Sequence, residues 1–310
     1  MRRCPILYVP IQDDELYSFQ GLKKLSPKLG SLDFLPLSAE EQRREAILRA
    51  EKMSIQGVQS KLSAKLNVAQ NCFEIVSVGG TYILKPPSDL YEHLPENEDL
   101  TMKLAKEVGI ETPVHGLVYA KDMTLTYFIK RFDRQGKGEK IPIEDFAQLT
   151  EENRTTKYDS TLEKVIHGIE RFTTFPMIEK SKFFTLTLFC YLTGNEDMHL
   201  KNFSIICRDN MISLSPAYDL LNTSLALKNP KEELALTLRG KKNKLSRDDF
   251  LSYLAKDRLN LPEKIISGTL EKFLKAKPIW LNWIANSFLT QEEKDEYIRL
   301  LESRWAKIFL

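Results

Sequence analysis

Three polar residues in the second half of the chain have the types and spacing needed to transfer a phosphoryl group from ATP. Asp197 and Asn202 stand five residues apart after an apolar segment, and Asp219 comes seventeen residues after Asn202. Such a transfer needs one carboxylate near the acceptor hydroxyl and two oxygen ligands for Mg²⁺, one of them a carboxylate. Each residue alone is typical of a surface turn. Together, directly after a predicted buried helix, they favour the catalytic interpretation.

A lysine and a glutamate in the first half of the chain could hold the ATP phosphates. Lys85 ends the apolar stretch "TYILKPP", which predicts a strand. Glu98, or alternatively Glu96, lies at the start of the helix that follows, and Glu98 comes thirteen residues after Lys85. A lysine ammonium suits phosphate oxygens as a point charge, and a carboxylate would hold it in place. Taken alone, Lys85 would be interpreted as a solvated strand end.

Two further features complete the predicted nucleotide site. The segment "YFIKRFDR" passes from an apolar strand into a polar loop, where backbone groups of Lys130 and Phe132 could bind an adenine edge. His199 lies between Asp197 and Asn202. We include His199 in this site, and we expect it to support the conformation of the loop rather than to bind a metal.

The stretch "SIQGVQSKLS" contains a single glycine among polar residues. Alone it is typical of a hairpin turn. It precedes Lys85 by about 28 residues, the position at which a kinase places the loop over its phosphates, so we predict a phosphate-covering loop. Its predicted nucleotide-site residues are Ser54, Gln56, Gly57, Val58, Gln59 and Lys61.

The order of predicted elements indicates an α+β protein. Up to about residue 133 the sequence predicts short strands with one helix inserted between them, and Gly79 and Gly80 are predicted to form a hairpin turn between two neighbouring strands. Gly109 is predicted to end the inserted helix, whose apolar residues at helical spacing are Leu100, Leu104, Ala105 and Val108. The remainder is mainly helical, with one helix apolar on most faces and therefore buried. We expect two parts, a β-rich one over residues 1–133 and a helical one over residues 134–310.

Composition excludes several classes of protein. Lys and Arg number 45 against 43 Asp and Glu, so a protein built mainly to bind nucleic acid is not expected. The four cysteines are scattered without metal-site spacing, which favours incidental thiols in a reducing compartment. The first residues are not expected to form a signal peptide, because acidic residues follow them closely, and no apolar stretch is long enough to cross a bilayer. A cytoplasmic location without membrane association is the expectation.

The motifs "SIQGVQSKLS", "YILKPP", "IKRFDR", "GNEDMHLKNFS" and "SPAYDLL" resemble those of HipA-type serine/threonine kinases of bacterial toxin–antitoxin systems. The resemblance runs from about residue 50 to the end, and the chain is similar to the short HipT branch of the three-component systems. It implies a two-lobed protein-kinase-like fold with a β-rich N-lobe and a mainly helical C-lobe. In these three-component systems a separate small protein, HipS, supplies the subdomain that precedes the loop in HipA.

The resemblance also implies roles for individual residues. Asp197 would be the catalytic base, Asn202 and Asp219 would bind Mg²⁺, and Lys85 would contact the phosphates of ATP. Ser54 matches the autophosphorylated serine of the family. Gln56 stands where some relatives carry a second serine, so control by two serines is in doubt for this chain.

The implied activity is phosphorylation of a serine on an aminoacyl-tRNA synthetase, tryptophanyl by the HipT resemblance or glutamyl, which stops translation. A HipB-like DNA-binding antitoxin and a HipS-like protein are the implied partners. Two alternatives stay open. A small-molecule kinase of the aminoglycoside or choline type shares the acidic trio, and a catalytically inactive module of a repressor complex would use the fold alone.

Overall fold

The computed structural model describes residues 2–52, 59–136, 138–151, 158–227 and 231–310 of the chain. The chain divides into two units, each built from separate segments. The first comprises Met1–Asp99, Pro113–Glu139 and Asn286–Leu289, and the second comprises Leu100–Thr112, Lys140–Ala285 and Thr290–Leu310. The domain boundary predicted at residue 133 stays a prediction.

A five-stranded antiparallel sheet lies at the centre of the first unit. Its strands are β1 (Leu62–Asn67), β2 (Cys72–Ile75), β3 (Tyr82–Lys85), β4 (His115–Tyr119) and β5 (Leu125–Lys130). The strand order is β2-β1-β3-β5-β4. The predicted hairpin at Gly79 and Gly80 is therefore wrong, because Ala64 of β1 pairs with Ile75 on one side and with Tyr82 on the other. Turn propensity predicts a reversal of the chain, but it does not tell which strands become neighbours.

Two helices precede the sheet in the first unit. Helix α1 (Phe19–Leu25) begins after Ser18, whose side-chain oxygen accepts a hydrogen bond from the Gly21 N–H. Helix α2 (Ala39–Lys52) contacts β1, and its buried Gln42 accepts a hydrogen bond from the Thr126 hydroxyl. Leucine and aromatic side chains of these helices and strands form one apolar core. Burial of this core supplies the main force that holds the sheet in place.

Helix α3 (Leu94–Glu107) is the helix predicted between the strands. The apolar residues that the sequence placed at helical spacing are all buried: Leu100, Leu104, Ala105 and Val108. Gly109 has a left-handed backbone with φ +82°, and its N–H donates to the Lys106 carbonyl. This conformation ends the helix at the glycine that the sequence indicated.

The remaining helices belong mainly to the second unit. They are α4 (Phe146–Leu149), α5 (Leu162–Phe172), α6 (Pro176–Thr193), α7 (Thr223–Ala226), α8 (Glu263–Asn286) and α9 (Gln291–Phe309), with a π-helix over Asp249–Arg258. Helix α6 is the apolar segment that the sequence predicts to be buried. All of its last eleven residues are buried except Leu186, which is half-buried. Helices α5 and α9 pack against α6.

Five short strands follow β5 in the chain. Strands β6 (Arg134–Gln135) and β7 (Glu139–Lys140) form a two-stranded ribbon where the chain passes from the first unit to the second. In the second unit, β8 (Ile143–Asp145), β9 (Ser204–Arg208) and β10 (Met211–Leu214) form an antiparallel sheet in the order β10-β9-β8. A 3-10 turn, Leu200–Asn202, precedes β9. In the part of the chain that the structure describes, no helix combines the length and apolarity needed to span a membrane.

Candidate functional site

Lys85 and Glu98 form a buried ion pair in the first unit. The Lys85 Nζ donates to Glu98 Oε1 at 2.7 Å and to Oε2 at 2.9 Å. Their side chains are 9% and 1% exposed. The sequence left Glu96 and Glu98 as alternatives, and Glu98 is the partner that binds the ammonium with both oxygens. The role of Lys85 toward ATP phosphates stays a prediction.

The strand pairing and the helix together position this pair. Lys85 is the last residue of β3 and lies opposite Tyr127 of β5, whose ring centroid is 5.7 Å from the lysine Nζ. At that distance the ring face attracts the ammonium. Glu98 lies in the second turn of α3. The end of β3 and the second turn of α3 therefore bring the two charges into contact.

A second buried polar pair follows directly, and the sequence did not indicate it. His115 Nδ1 lies 2.7 Å from Asp99 Oδ1, and both side chains are almost completely buried. Burial, together with the Asp99 carboxylate, raises the pKa of Tyr8 well above its usual value. Asp99 and His115 are sixteen residues apart, and an isolated histidine carries no sequence signal for such a contact. This pair anchors the start of α3 to β4.

In the segment predicted to bind adenine, two backbone N–H groups already donate hydrogen bonds within the protein. The Lys130 N–H donates to the Val114 carbonyl at 2.7 Å, and the Arg131 N–H donates to the Thr81 carbonyl at 2.8 Å. Phe132, beyond the end of β5, is half-buried. Adenine recognition at Lys130 would therefore use a backbone group other than its N–H, and the roles of Lys130 and Phe132 stay predictions.

The predicted phosphate-covering loop lies largely outside the described residues. Ser54, Gln56, Gly57 and Val58 are in this outside part. Gln59 is half-buried and Lys61 is exposed directly before β1. Nucleotide binding by this loop, and modification of Ser54, stay predictions.

The loop that carries Asp197 begins where α6 ends. Gly194 adopts a left-handed backbone with φ +75°, and a side chain there would clash with Leu300 and would approach Asn222 Oδ1 to 2.8 Å. The Thr223 hydroxyl donates to the Gly194 carbonyl and accepts from the Glu196 N–H. Glycine is therefore required at the turn that directs the chain from the helix into the loop.

A buried ion pair fixes the same turn from α9. Arg304 donates to the Tyr191 carbonyl at 2.6 Å and to Glu196 Oε1 at 3.0 Å. Both charged side chains are 6% exposed. Burial raises the pKa of the Glu196 carboxyl, while its hydrogen bond from Ser224 and the charge of Arg304 oppose that effect. The sequence did not indicate Arg304, which lies 108 residues from Glu196.

Three hydrogen bonds hold the backbone around Asp197. Its N–H donates to Asn195 Oδ1 at 3.1 Å, and its carbonyl accepts from the His199 N–H and from Asn202 Nδ2, both at 2.8 Å. The Asp197 side chain remains 43% exposed. The loop thus fixes the backbone and leaves the carboxylate accessible, as a general base requires.

Two side chains lie beside the Asp197 carboxylate. The Tyr158 hydroxyl donates a hydrogen bond to Asp197 Oδ1, and His199 Nε2 lies 4.0 Å from the same oxygen. The rings of Tyr158 and His199 meet edge to face, with centroids 4.9 Å apart. His199 is buried within the loop, and its expected support of the loop conformation stays a prediction. The sequence did not single out Tyr158, because nothing near it forms a recognisable motif.

Asn202 and Asp219 provide the type of oxygen ligands that Mg²⁺ prefers. Because the Asn202 amide nitrogen donates to the Asp197 carbonyl, its oxygen points away from that bond, and no described residue donates to this oxygen. Asp219 has a left-handed backbone with φ +53°. Its neighbour Tyr218 donates to the Lys201 carbonyl at 2.8 Å, next to Asn202 in the chain.

One carboxylate and one amide oxygen fit a magnesium ion that is also bound by phosphates and water. The donor set does not suit a metal held by protein ligands alone. Accordingly, no group of three or more histidine, cysteine, aspartate or glutamate side chains could hold a metal within the described ranges. Metal binding by Asn202 and Asp219 stays a prediction.

The predicted site residues thus form two groups of known geometry. In the first unit, Lys85 and Glu98 are in contact. In the second unit, Asp197, His199 and Asn202 share one hydrogen-bonded loop, and Tyr218 connects the segment of Asp219 to the adjacent turn.

Comparison with known proteins identifies the family. Residues 53–280 match the HipA-like C-terminal domain. A Haemophilus influenzae protein with a provisional kinase name is 28% identical over 345 residues, covering 100% of this chain and 98% of its own. The serine/threonine-protein kinase toxin HipA of Shewanella oneidensis is 26% identical, covering 73% of this chain, which spans 56% of that relative.

Two solved structures share the fold. The S. oneidensis HipA from a complex with HipB and operator DNA superposes with a TM-score of 0.67 at 20% identity, over 96% of this chain and 79% of that one. The Helicobacter pylori proinflammatory kinase CtkA gives 0.53 at 18% identity, over 73% of this chain and 87% of that one. The predicted α+β kinase-like fold, with a β-rich N-lobe and a mainly helical C-lobe, is therefore confirmed.

The resemblance noted in the sequence is likewise confirmed at the level of the HipA-like family, whereas the particular similarity to the HipT branch stays a prediction. This chain belongs to the HipA-like C-terminal domain family and has the fold of its kinases.

Proposed function

We propose that this protein is an ATP- and Mg²⁺-dependent serine/threonine protein kinase that acts as the toxin of a toxin–antitoxin system. The observation that carries the proposal is the buried Lys85–Glu98 ion pair, since protein kinases need such a pair to hold the phosphates of ATP. The S. oneidensis relative named as a serine/threonine-protein kinase toxin supports the same activity.

Each residue of the site has a defined part in this proposal. Asp197 accepts the proton of the acceptor hydroxyl, with its backbone fixed by the loop and its carboxylate exposed. Lys85, held by Glu98, binds phosphate oxygens. Asn202 and Asp219 hold the metal. When bound, Mg²⁺ neutralises the charge that develops on the phosphates during transfer.

The proposed nucleotide site also includes residues for adenine and for the phosphate-covering loop. Lys130 and Phe132 bind adenine through their backbones, and Ser54, Gln56, Gly57, Val58, Gln59 and Lys61 cover the phosphates. Phosphorylation of Ser54 adds close to two negative charges beside the ATP phosphates, so it disfavours nucleotide binding and switches the enzyme off.

We propose an aminoacyl-tRNA synthetase as the substrate, tryptophanyl-tRNA synthetase first and glutamyl-tRNA synthetase second, with modification of a serine that blocks charging. The proposed partners are a HipB-like antitoxin and a HipS-like small protein. The S. oneidensis HipA structure contains HipB and operator DNA, which supports the first of these partners. We place the reaction in the cytoplasm, where its substrate is found.

The test is transfer of labelled phosphate from ATP with Mg²⁺ to purified tryptophanyl- and glutamyl-tRNA synthetases. Wild-type protein is expected to label one synthetase on serine and to stop its aminoacylation, whereas Asp219→Asn is expected to reduce labelling at least 100-fold because the metal carboxylate is lost. Equal labelling by both proteins would contradict the assignment. Transfer to aminoglycosides or choline, with no labelled protein, would favour a small-molecule kinase instead.

A further inference from the structure

The Asp197 carboxylate already receives a hydroxyl hydrogen bond from within the chain. Tyr158 donates to Asp197 Oδ1, and its ring contacts the His199 ring edge to face at 4.9 Å. Tyr158 is half-buried, and Asp197 is 43% exposed. The tyrosine therefore covers part of an otherwise accessible carboxylate.

The hydrogen bond from Tyr158 is not what holds the loop in place. The Asp197 backbone is fixed by Asn195, His199 and Asn202, all within the loop itself. The Tyr158 hydroxyl donates to the carboxylate of Asp197 and not to its backbone. Removal of its hydroxyl should therefore change the hydrogen bonding of the base while the conformation of the loop persists.

The chemical nature of this contact matches that of a substrate. A kinase base accepts a hydrogen bond from the acceptor hydroxyl before it takes the proton. The Tyr158 hydroxyl is also an O–H donor, and burial followed by its bond to Asp197 raises its pKa, so it stays protonated at neutral pH. Tyr158 and an acceptor hydroxyl thus compete for the same carboxylate.

We propose that Tyr158 occupies the acceptor-hydroxyl position at Asp197 and thereby excludes water as an acceptor until a protein substrate displaces it. This rests on the proposed kinase function. In the reaction the acceptor oxygen bonds to the γ-phosphorus, the bond from that phosphorus to the bridging oxygen of ADP breaks, and the acceptor proton passes to Asp197. Water can act as the acceptor in the same way and would waste ATP. A protein substrate displaces Tyr158 with binding energy from its wider contact surface, which water lacks.

The first test compares Tyr158→Phe with wild type, since this change removes the hydroxyl and keeps the ring. Release of ADP with water as the sole acceptor is expected to rise roughly ten-fold, the effect of losing one hydrogen bond to a charged group. The KM for tryptophanyl-tRNA synthetase is expected to fall, with kcat less affected. The double variant Tyr158→Phe with Asp197→Asn is expected not to show this increase in ADP release.

Tyr253→Phe is the matched control. Tyr253 also donates its hydroxyl to a carboxylate, Glu163 Oε1 at 3.0 Å, in the same unit and away from Asp197. The Tyr253→Phe variant is expected to release ADP at the same rate as wild type, with water as the sole acceptor. Unchanged or lower ADP release in Tyr158→Phe would contradict the proposal, and so would labelling of Tyr158 itself, since the tyrosine would then be an acceptor.

A second measurement tests the contact independently of turnover. With 3-fluorotyrosine at position 158, the fluorine NMR signal is expected to move in the Asp197→Ala variant and on addition of the synthetase. A signal that moves in neither case would overturn the proposal. If wild type turns over ATP and Tyr158→Phe releases ADP no faster than wild type, the Tyr158 proposal is contradicted and the proposed function is not. Lack of ATP binding and turnover in every variant contradicts the proposed function, and the Tyr158 proposal falls with it.

Discussion

The two groups of predicted site residues, one in each unit, differ in how the protein holds them. In the first unit, Lys85 and Glu98 are almost completely buried, and each neutralises the other. In the second unit, Asp197 is 43% exposed, and its side chain receives a hydrogen bond from the neutral Tyr158. The lysine is fixed through its side chain, whereas the aspartate is fixed mainly through its backbone.

The difference predicts different consequences of substitution. A buried ion that loses its partner keeps its desolvation cost without compensation, so the fold is weakened together with any activity. A half-exposed carboxylate is hydrated in both the folded and the unfolded state, so its replacement changes chemistry with little change in stability. We therefore expect the first group to contribute to both stability and the proposed activity, and the second chiefly to the proposed activity.

The largest expected effect is a contrast in stability between the two groups. Lys85→Met removes the ammonium that both carboxylate oxygens of the buried Glu98 bind, and it is expected to lower the free energy of unfolding by about 3–5 kcal/mol. Asp197→Asn is expected to change it by less than about 0.5 kcal/mol, because the amide oxygen can still accept from Tyr158. Urea unfolding followed by circular dichroism measures both.

The control for this contrast is the double variant Lys85→Met with Glu98→Leu. Replacement of both charges by apolar groups is expected to recover most of the lost stability and none of the phosphoryl transfer. If Lys85→Met and Asp197→Asn lost the same free energy of unfolding, the distinction between the two groups would be wrong.

A smaller effect is expected at the turn that leads to Asp197. Gly194→Ala adds a side chain to a left-handed residue at φ +75°, where it would clash with Leu300 and crowd Asn222. We expect a loss of about 2–3 kcal/mol in the free energy of unfolding, from backbone strain and overpacking. Gly240→Ala has a similar φ of +73° and no neighbouring atom within 4 Å, so it isolates the backbone contribution. Equal losses in the two variants would show that packing around Gly194 is unimportant.

The smallest expected effect concerns the segment of Asp219. Tyr218→Phe removes the hydrogen bond to the Lys201 carbonyl and is expected to cost about 1 kcal/mol of stability. Because this bond connects the two predicted metal-binding segments, the Mg²⁺ concentration for half-maximal transfer is expected to rise a few-fold. Titration of activity with Mg²⁺ provides the measurement, and an unchanged midpoint would separate Tyr218 from the metal site.

Local sequence was sufficient where an element and its chemistry lie close together in the chain. Helical spacing predicted α3 and its end at Gly109, and the apolar run predicted the buried α6. The spacing of Lys85 and Glu98 predicted their contact, because a strand end and the next helix start are brought together by a short connection. In each case the signal depends on residues within about one element of each other.

The sequence by itself thus determined the fold class, and it indicated the polar residues whose roles in the candidate site stay predictions. Only the tertiary structure decided that β1 lies between β2 and β3, that Glu98 rather than Glu96 binds Lys85 with both oxygens, and that Tyr158 covers Asp197. Strand order and contacts across 39 residues depend on which surfaces pack best in the whole chain, and periodicity reports only local surfaces. Short motifs predict the chemistry, whereas the proposed control of access to Asp197 depends on its contact with Tyr158, which only the fold brings about.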